Sequence, residues 1–201
     1  MKRILVTALL CGVVTFPAFA ALKQGEKAPD FSAKASLAGQ EFTFSLKDAL
    51  KKGPVVVYFY PAAFTGGCNL QAHTFAVNKE KFDALGASII GVSADSIGKL
   101  NAFSADPAYC AGKIAVASDP DQSIAKSYNL TSVNLKAGSI KDSRGDIVDH
   151  ELTERTTFII TPDYKVAAAF SSNEDKISPA EHVARSLAAL EQVTKSKSTK
   201  P

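Results

Sequence analysis

The hydrophobic positions of this chain change period several times, and each change marks an element. Val55 to Tyr60 is a short unbroken run of β-branched and aromatic residues, the pattern of a strand covered on both faces, and Pro61 ends it. Beyond Cys68 the period becomes helical: Phe75, Phe82 and Leu85 share one stripe, with Asn78, Lys79, Glu80 and Lys81 on the opposite face. The intervening Pro61-Ala-Ala-Phe-Thr-Gly-Gly-Cys68 reads as a tight loop entering a helix, which places Cys68 in the first helical turn. Gly66-Gly67 reads as the pair that lets the chain turn where backbone must approach a ligand.

The flanking segments are equally patterned. Phe31 to Phe44, with Gly39 in the middle, predicts a small hairpin, and Ser45-Leu-Lys-Asp48 predicts a helix start closed by Gly53-Pro54. Ala87 to Val92 is a strand, a short helix follows from Ser96, and Ile114 to Ala117 is the next strand. Cys110 falls between them, in a loop or helix end. Asp119-Pro-Asp-Gln122 predicts an N-cap acid with proline at the first helical position, opening a helix to about Tyr128. Leu130 to Glu154 has no clear period, and Ser143-Arg-Gly-Asp146 within it looks like a turn between two strands. Thr157 to Thr161 and Lys165 to Phe170 flank Pro162-Asp-Tyr as an antiparallel hairpin with Arg155 at its entrance. Ser178-Pro-Ala-Glu181 is a capping box for a last helix with Val183, Leu187 and Leu190 at core spacing. Thr194 to Pro201 reads as a frayed basic tail.

The N-terminus changes the picture of where the protein works. Lys2 and Arg3 precede an apolar run from Ile4 to Phe16, and Ala18-Phe-Ala20 supplies a small-x-small cleavage site, so residues 1–20 read as a secretory signal peptide. The run is shorter than the roughly 20 residues that span a bilayer, and no later segment qualifies. Leu10 before Cys11 is too large for a lipoprotein site, so Cys11 goes with the leader. The expected product is one domain, residues 21–194, with a flexible tail at 195–201, exported to an oxidising compartment such as a bacterial periplasm. Export removes two basic residues and no acid, so 23 minus 20 becomes 21 minus 20, a net charge of +1. Such a balance points to neither nucleic acid nor an anionic membrane as a partner.

Two cysteines remain, Cys68 and Cys110. A free thiol, with pKa near 8.5, is only a few per cent thiolate at neutral pH. The helix mouth favours the anion, but its contribution of roughly 0.3–1 kcal/mol, at most about 2, calls for a further cation or donor. Thr65, one turn before Cys68, is a donor candidate. Three other readings of the sulfurs compete with a reactive thiolate. Most free cysteines are small buried hydrophobes; a dithiol site would need a second cysteine at position 65, which is threonine; and an even pair in an exported protein can be a permanent disulfide. His73, His150 and His182 are scattered without ligand spacing, so no metal or other cofactor is called for. Phosphate-binding glycine loops and Gly-x-Ser-x-Gly elbows are absent.

Pro61, Thr65 and Cys68 in the pattern Pro-x-x-x-Thr-x-x-Cys, with Tyr58-Phe-Tyr60 before it, resemble the peroxiredoxins. Gly25-Glu-Lys-Ala-Pro-Asp-Phe31 is similar to that family's entry segment and Arg155-Thr-Thr-Phe-Ile-Ile160 to its arginine-bearing strand. The likeness is nearest to the bacterioferritin comigratory, or Q-type, branch. It implies an α/β, thioredoxin-like fold, a central mixed β-sheet flanked by helices. It also implies a thiol peroxidase in which Cys68 attacks a peroxide, Thr65 and Arg155 hold the substrate, and Pro61 shapes the pocket. Cys110 is near one of the places where the branch carries a resolving cysteine; the other place holds His73. The implied partners are a peroxide and an external dithiol or glutathione-type reductant, and the implied assembly is a monomer or weak homodimer. A one-cysteine peroxidase and a non-catalytic thioredoxin-like binding module are the alternatives. Segment 130–154 is longer than its family counterpart, and the Gly66-Gly67 pair stands where proline is frequent.

Overall fold

A computed structural model describes residues 20–134 and 139–198. The expected leader and Cys11 therefore lie outside the described residues. Ser32–Leu37 (β1) and Gln40–Ser45 (β2) form the predicted hairpin, turning through Ala38 and Gly39, both at positive φ. Leu46–Leu50 (α1) starts where predicted, with the Ser45 hydroxyl accepting from Asp48 N at 3.2 Å. Val55–Phe59 (β3) is buried at every position. Gly66–Val77 (α2), Lys79–Ala84 (α3), Ser88–Ser93 (β4), Ile97–Ala105 (α4) and Ala115–Ser118 (β5) follow. After Ser123–Ser127 (α5), the chain makes two short strands, Ser132–Val133 (β6) and Leu152–Thr153 (β7). It finishes with Thr156–Ile160 (β8), Val166–Ser171 (β9), Ser172–Asp175 (α6) and Pro179–Ser198 (α7).

Seven strands form one sheet in the order β2-β1-β5-β4-β3-β8-β9. Neighbours β3, β4 and β5 are parallel and the other pairs antiparallel, which makes the sheet mixed, as expected. Because side chains alternate along a strand, β3 feeds two cores. Val55, Val57 and Phe59 join Phe31, Phe44, Leu46, Tyr128 and Phe158 on one face. Val56 and Tyr58 join Phe64, Phe75, Phe103, Val183, Leu190 and both cysteines on the other. The second face, covered by α2, α4 and α7, holds the candidate site.

Three local expectations change and one holds. The helix predicted through Leu85 is two helices broken at Asn78, whose amide donates to Thr74 O at 2.9 Å. Phe75 and Phe82 stay buried across the break, so the apolar stripe did not betray it. The helix expected to start at Asp119-Pro120 starts at Ser123, after Gln122 at φ +57. Asp119 still caps it from a distance, its carboxylate accepting from Ile124 N at 3.1 Å and Ala125 N at 2.9 Å. The Ser143 to Asp146 turn is present as expected between two strands, the short antiparallel pair β6 and β7, with a further bridge between Lys141 and Ile147. Finally, α7 runs on to Ser198 through the segment expected to fray, with the Thr194 hydroxyl donating to Leu190 O.

Candidate active site

Phe59 ends β3, and the chain crosses to α2 through Tyr60 to Thr65. The sharp turn in this loop falls on Phe64, at φ +61, a conformation a bulky residue holds only when its surroundings fix it. Those surroundings are visible. Phe64 O accepts from Ser143 N at 2.8 Å, and the Arg144 guanidinium carbon lies 3.6 Å above the Phe64 ring. Ala63 N donates to the buried Asp95 carboxylate at 2.7 Å. Asp95 also accepts from Ser93 Oγ and is in contact with His150 Nε2 at 3.1 Å and Lys99 Nζ at 3.4 Å; Lys99 in turn reaches Asp142 at 3.1 Å. Burial pushes the Asp95 carboxyl upward, but the bonds from His150 and Ala63 outweigh it and hold it below the ordinary carboxylate range. Residues 142–150 are thus bolted to the loop before Cys68.

Thr65 is the N-cap of α2, and the first intrahelical bond is Asn69 N to Thr65 O at 2.8 Å. The N–H groups of Gly66, Gly67 and Cys68 precede it, and the first turn carries no acid. Arg155, at the entrance to β8, donates from Nη2 to Cys68 Sγ at 3.2 Å and from Nη1 to Gln71 Oε1 at 2.5 Å. The guanidinium places against the sulfur the cation that the helix mouth alone lacks. Cys68 is nonetheless only 2 % exposed, more enclosed than a nucleophile awaiting substrate is expected to be. The residues just before it are more open: Thr65 and Gly67 are half-buried and Gly66 is exposed.

Two expectations about this loop need correcting. The Thr65 hydroxyl donates to Ala62 O at 2.7 Å and not to the sulfur, so its remaining capacity there is as an acceptor. Neither Gly66 nor Gly67 sits at positive φ. A Cβ at Gly66 would meet nothing within 4 Å, whereas one at Gly67 would lie 3.1 Å from Arg155 Nη2 and 3.3 Å from Pro179 Cγ. Gly67 makes room for the guanidinium; it does not make the turn.

Cys110 lies in the turn after α4, fully buried, and is not joined to Cys68 by a disulfide. It belongs to the same apolar cluster, beside the ring group Phe64, Phe103 and Tyr109. Burial, with a smaller contribution from the Asp106 charge, pushes its thiol far above the usual range. Pro61, half-buried, follows Tyr60 at the head of the loop.

The sequence profile described as the AhpC/TSA family matches residues 24–169. The chain belongs to that family. It is 30 % identical over 136 residues to the peroxiredoxin Bcp of Xanthomonas campestris pv. campestris, 68 % of this chain and 75 % of that protein. With the chloroplastic 2-cysteine peroxiredoxin of Chattonella marina var. antiqua it shares 34 % over 145 residues, 68 % of this chain and 73 % of the relative. Among solved structures, peroxidoxin BcpB of Mycobacterium tuberculosis superposes with a TM-score of 0.69 at 28 % identity, over 86 % of this chain and 98 % of that one. Peroxiredoxin Q of Xanthomonas campestris gives 0.61 at 28 % identity, over 80 % and 90 %. This peroxiredoxin is a thiol-dependent peroxidase with the thioredoxin-like fold, acting on peroxide with a thiol reductant.

Sequence reasoning missed Gln71, Thr157, Asp95 and His150. Gln71 was within reach as the residue one turn after Cys68 on the same helix face, and Thr157 as the residue two after Arg155 on the same strand face. Asp95 and His150 meet across 55 residues and carried no local signal.

Proposed function

We propose that Cys68 is the sulfur that meets peroxide. Its thiolate attacks one peroxide oxygen: the S–O bond forms, the O–O bond breaks, and the departing oxygen leaves as water or an alcohol after gaining a proton. Arg155 and the free N–H groups of Gly66, Gly67 and Cys68 steady the charge on the departing oxygen, Thr65 accepts from the peroxide hydroxyl, and Pro61 limits water. The observation that carries this reading is the Arg155 Nη2 contact with Sγ at 3.2 Å, locked by Gln71.

Cys110 then attacks the Cys68 sulfenic acid, an S–S bond forms, water leaves, and an external dithiol or glutathione system reduces the disulfide. In the closed state Cys110 is buried and held as a thiol, so this step requires the 106–113 turn and the start of α2 to open. That same burial favours a second reading, a one-cysteine enzyme whose sulfenic acid meets an outside thiol. Peroxide turnover by Cys110→Ser, with mass spectrometry of Cys68, separates them. Sulfenic acid that persists only in the variant supports internal resolution, and unchanged turnover selects the one-cysteine route. The leader-like residues 1–20 support export to the periplasm, where the mature chain works as a monomer or weak homodimer. An intact mass matching a chain that begins at Ala21 is the expected outcome for secreted material.

A further inference from the structure

We propose that His182, on α7, is a positioning residue of the thiolate site: as a neutral imidazole protonated on Nε2, it sets the direction of a buried hydrogen-bond ring that holds Gln71, and through it Arg155, against Cys68. The proposal rests on the reading of Cys68 and Arg155 given above. It starts from Gln71, a fully buried amide. Because Gln71 Oε1 accepts from Arg155 Nη1, its NH₂ must face the other way, where Thr157 Oγ1 lies at 3.5 Å. A flipped amide would set donor against donor. In the proposed direction the Thr157 hydroxyl, having accepted, gives its own proton to His182 Nδ1 at 3.0 Å. That nitrogen is then an acceptor, so the ring proton sits on Nε2 and is donated to Ser172 Oγ at 2.9 Å. Ser172 closes the ring, since its backbone N–H donates to Arg155 O at 3.0 Å.

In this direction every side chain of the ring has a donor matched to an acceptor, and the ring begins and ends on Arg155. A satisfied core histidine needs only two partners of any kind; here the partners determine which face of an amide meets the guanidinium. The charged groups around the ring are consistent with its neutral state. Burial and the positive charges of Arg155 and Arg185 outweigh Asp175 and Glu181, and bring His182 down to about 4. The same helix places Pro179 beside Gly67, where an added Cβ would lie 3.3 Å from Pro179 Cγ.

The test compares purified full-length His182→Leu, His182→Gln, Thr157→Val and Arg155→Met with the parent. Two quantities are read at neutral pH: the thiolate ultraviolet absorbance of Cys68 and the stopped-flow rate with hydrogen peroxide. His182→Leu is expected to lose thiolate absorbance and slow about tenfold, the scale of one misdirected buried hydrogen bond. His182→Gln, whose carbonyl can accept from Thr157 and whose amide can donate to Ser172, is expected to recover most of both. Thr157→Val keeps the side-chain shape, interrupts the same ring from β8, and decides the matter if His182→Leu fails to fold. A folded His182→Leu or Thr157→Val within about twofold of the parent in both readouts overturns the proposal, as does a His182→Gln as impaired as His182→Leu. Arg155→Met separates the layers. If it is impaired while the ring variants are not, only the role of His182 fails; if it too is unchanged, the reading of the thiolate site fails with it.

Discussion

Cys68 and Cys110 share one apolar cluster on one face of the sheet, with 2 % and 0 % of their surface exposed, yet their surroundings differ in kind. The first sits at a helix mouth under a guanidinium, and behind it runs a ring of amide, hydroxyl and imidazole groups. The second lies in a turn beside stacked and edge-on aromatic rings, with burial as the main influence on its thiol. Burial by itself makes a thiol inert; on the reading proposed above, a fixed cation beside a buried sulfur is what sets the first apart.

The largest effect that could break this contrast is on the first turnover. Cys68→Ser should lose peroxide reduction by at least about 10³-fold, since no other activated nucleophile replaces it, while Cys110→Ser should keep its first turnover. Stopped-flow peroxide consumption reads both, and a Cys68→Ser variant that still reduces peroxide would undo the assignment. Next comes the cation. Arg155→Met should slow the first step by about 10²-fold, the usual cost of removing one charge-stabilising donor, and should bring the alkylation rates of the two cysteines closer together. Peptide mass spectrometry after timed iodoacetamide exposure measures that ratio.

The third test concerns acid. In the unfolded chain a histidine titrates near 6.5, and folded His182 titrates near 4, so between those values the unfolded state binds the extra proton. Stability should therefore fall as the pH drops from about 6.5 to 4, by up to about 3 kcal/mol from this group. His150 acts in the opposite sense. Burial lowers its pKa, but the Asp95 and Glu151 bonds raise it more, and the stability it adds is complete below 6.5 and lost as the pH rises through its raised value. Urea midpoints at neutral and mildly acid pH should show the acid loss in the parent and in Cys110→Ala, and much less of it in His182→Gln. An unchanged slope in that variant would mean that the polar side of the site does not carry it.

The smallest effect separates two adjacent glycines. Gly66→Ala fills open space at the first helical position and should raise stability by about 0.5–1 kcal/mol with the rate intact. Gly67→Ala puts a methyl 3.1 Å from the guanidinium and should slow peroxide reduction severalfold. Thermal melts and initial rates on the two variants check the pair.

What could be read in advance follows from the range of the forces involved. β3 and the first turn of α2 were legible because short-range pattern dictates them: a run of β-branched residues, a proline stop and a change of period. The Asn78 break was not, since Phe75 and Phe82 are core residues whether or not the helix continues. Asp119 was recognised as a cap but misplaced by a few residues, because a carboxylate can reach the open N–H groups from outside the helix. Gln71 meets Arg155 across 84 positions and Thr157 meets His182 across 25, so only tertiary packing brings that ring together. Nothing in the pattern of 130–154 signals that it fastens the loop before Cys68.

That fastening gives the molecule a gauge of its own. The amide proton of Ser143 is held by the carbonyl of Phe64, so it trades for deuterium only when the loop lets go. The exchange clock of one residue far along the chain thereby counts the openings of the segment that carries the thiol, with no label needed on the thiol itself.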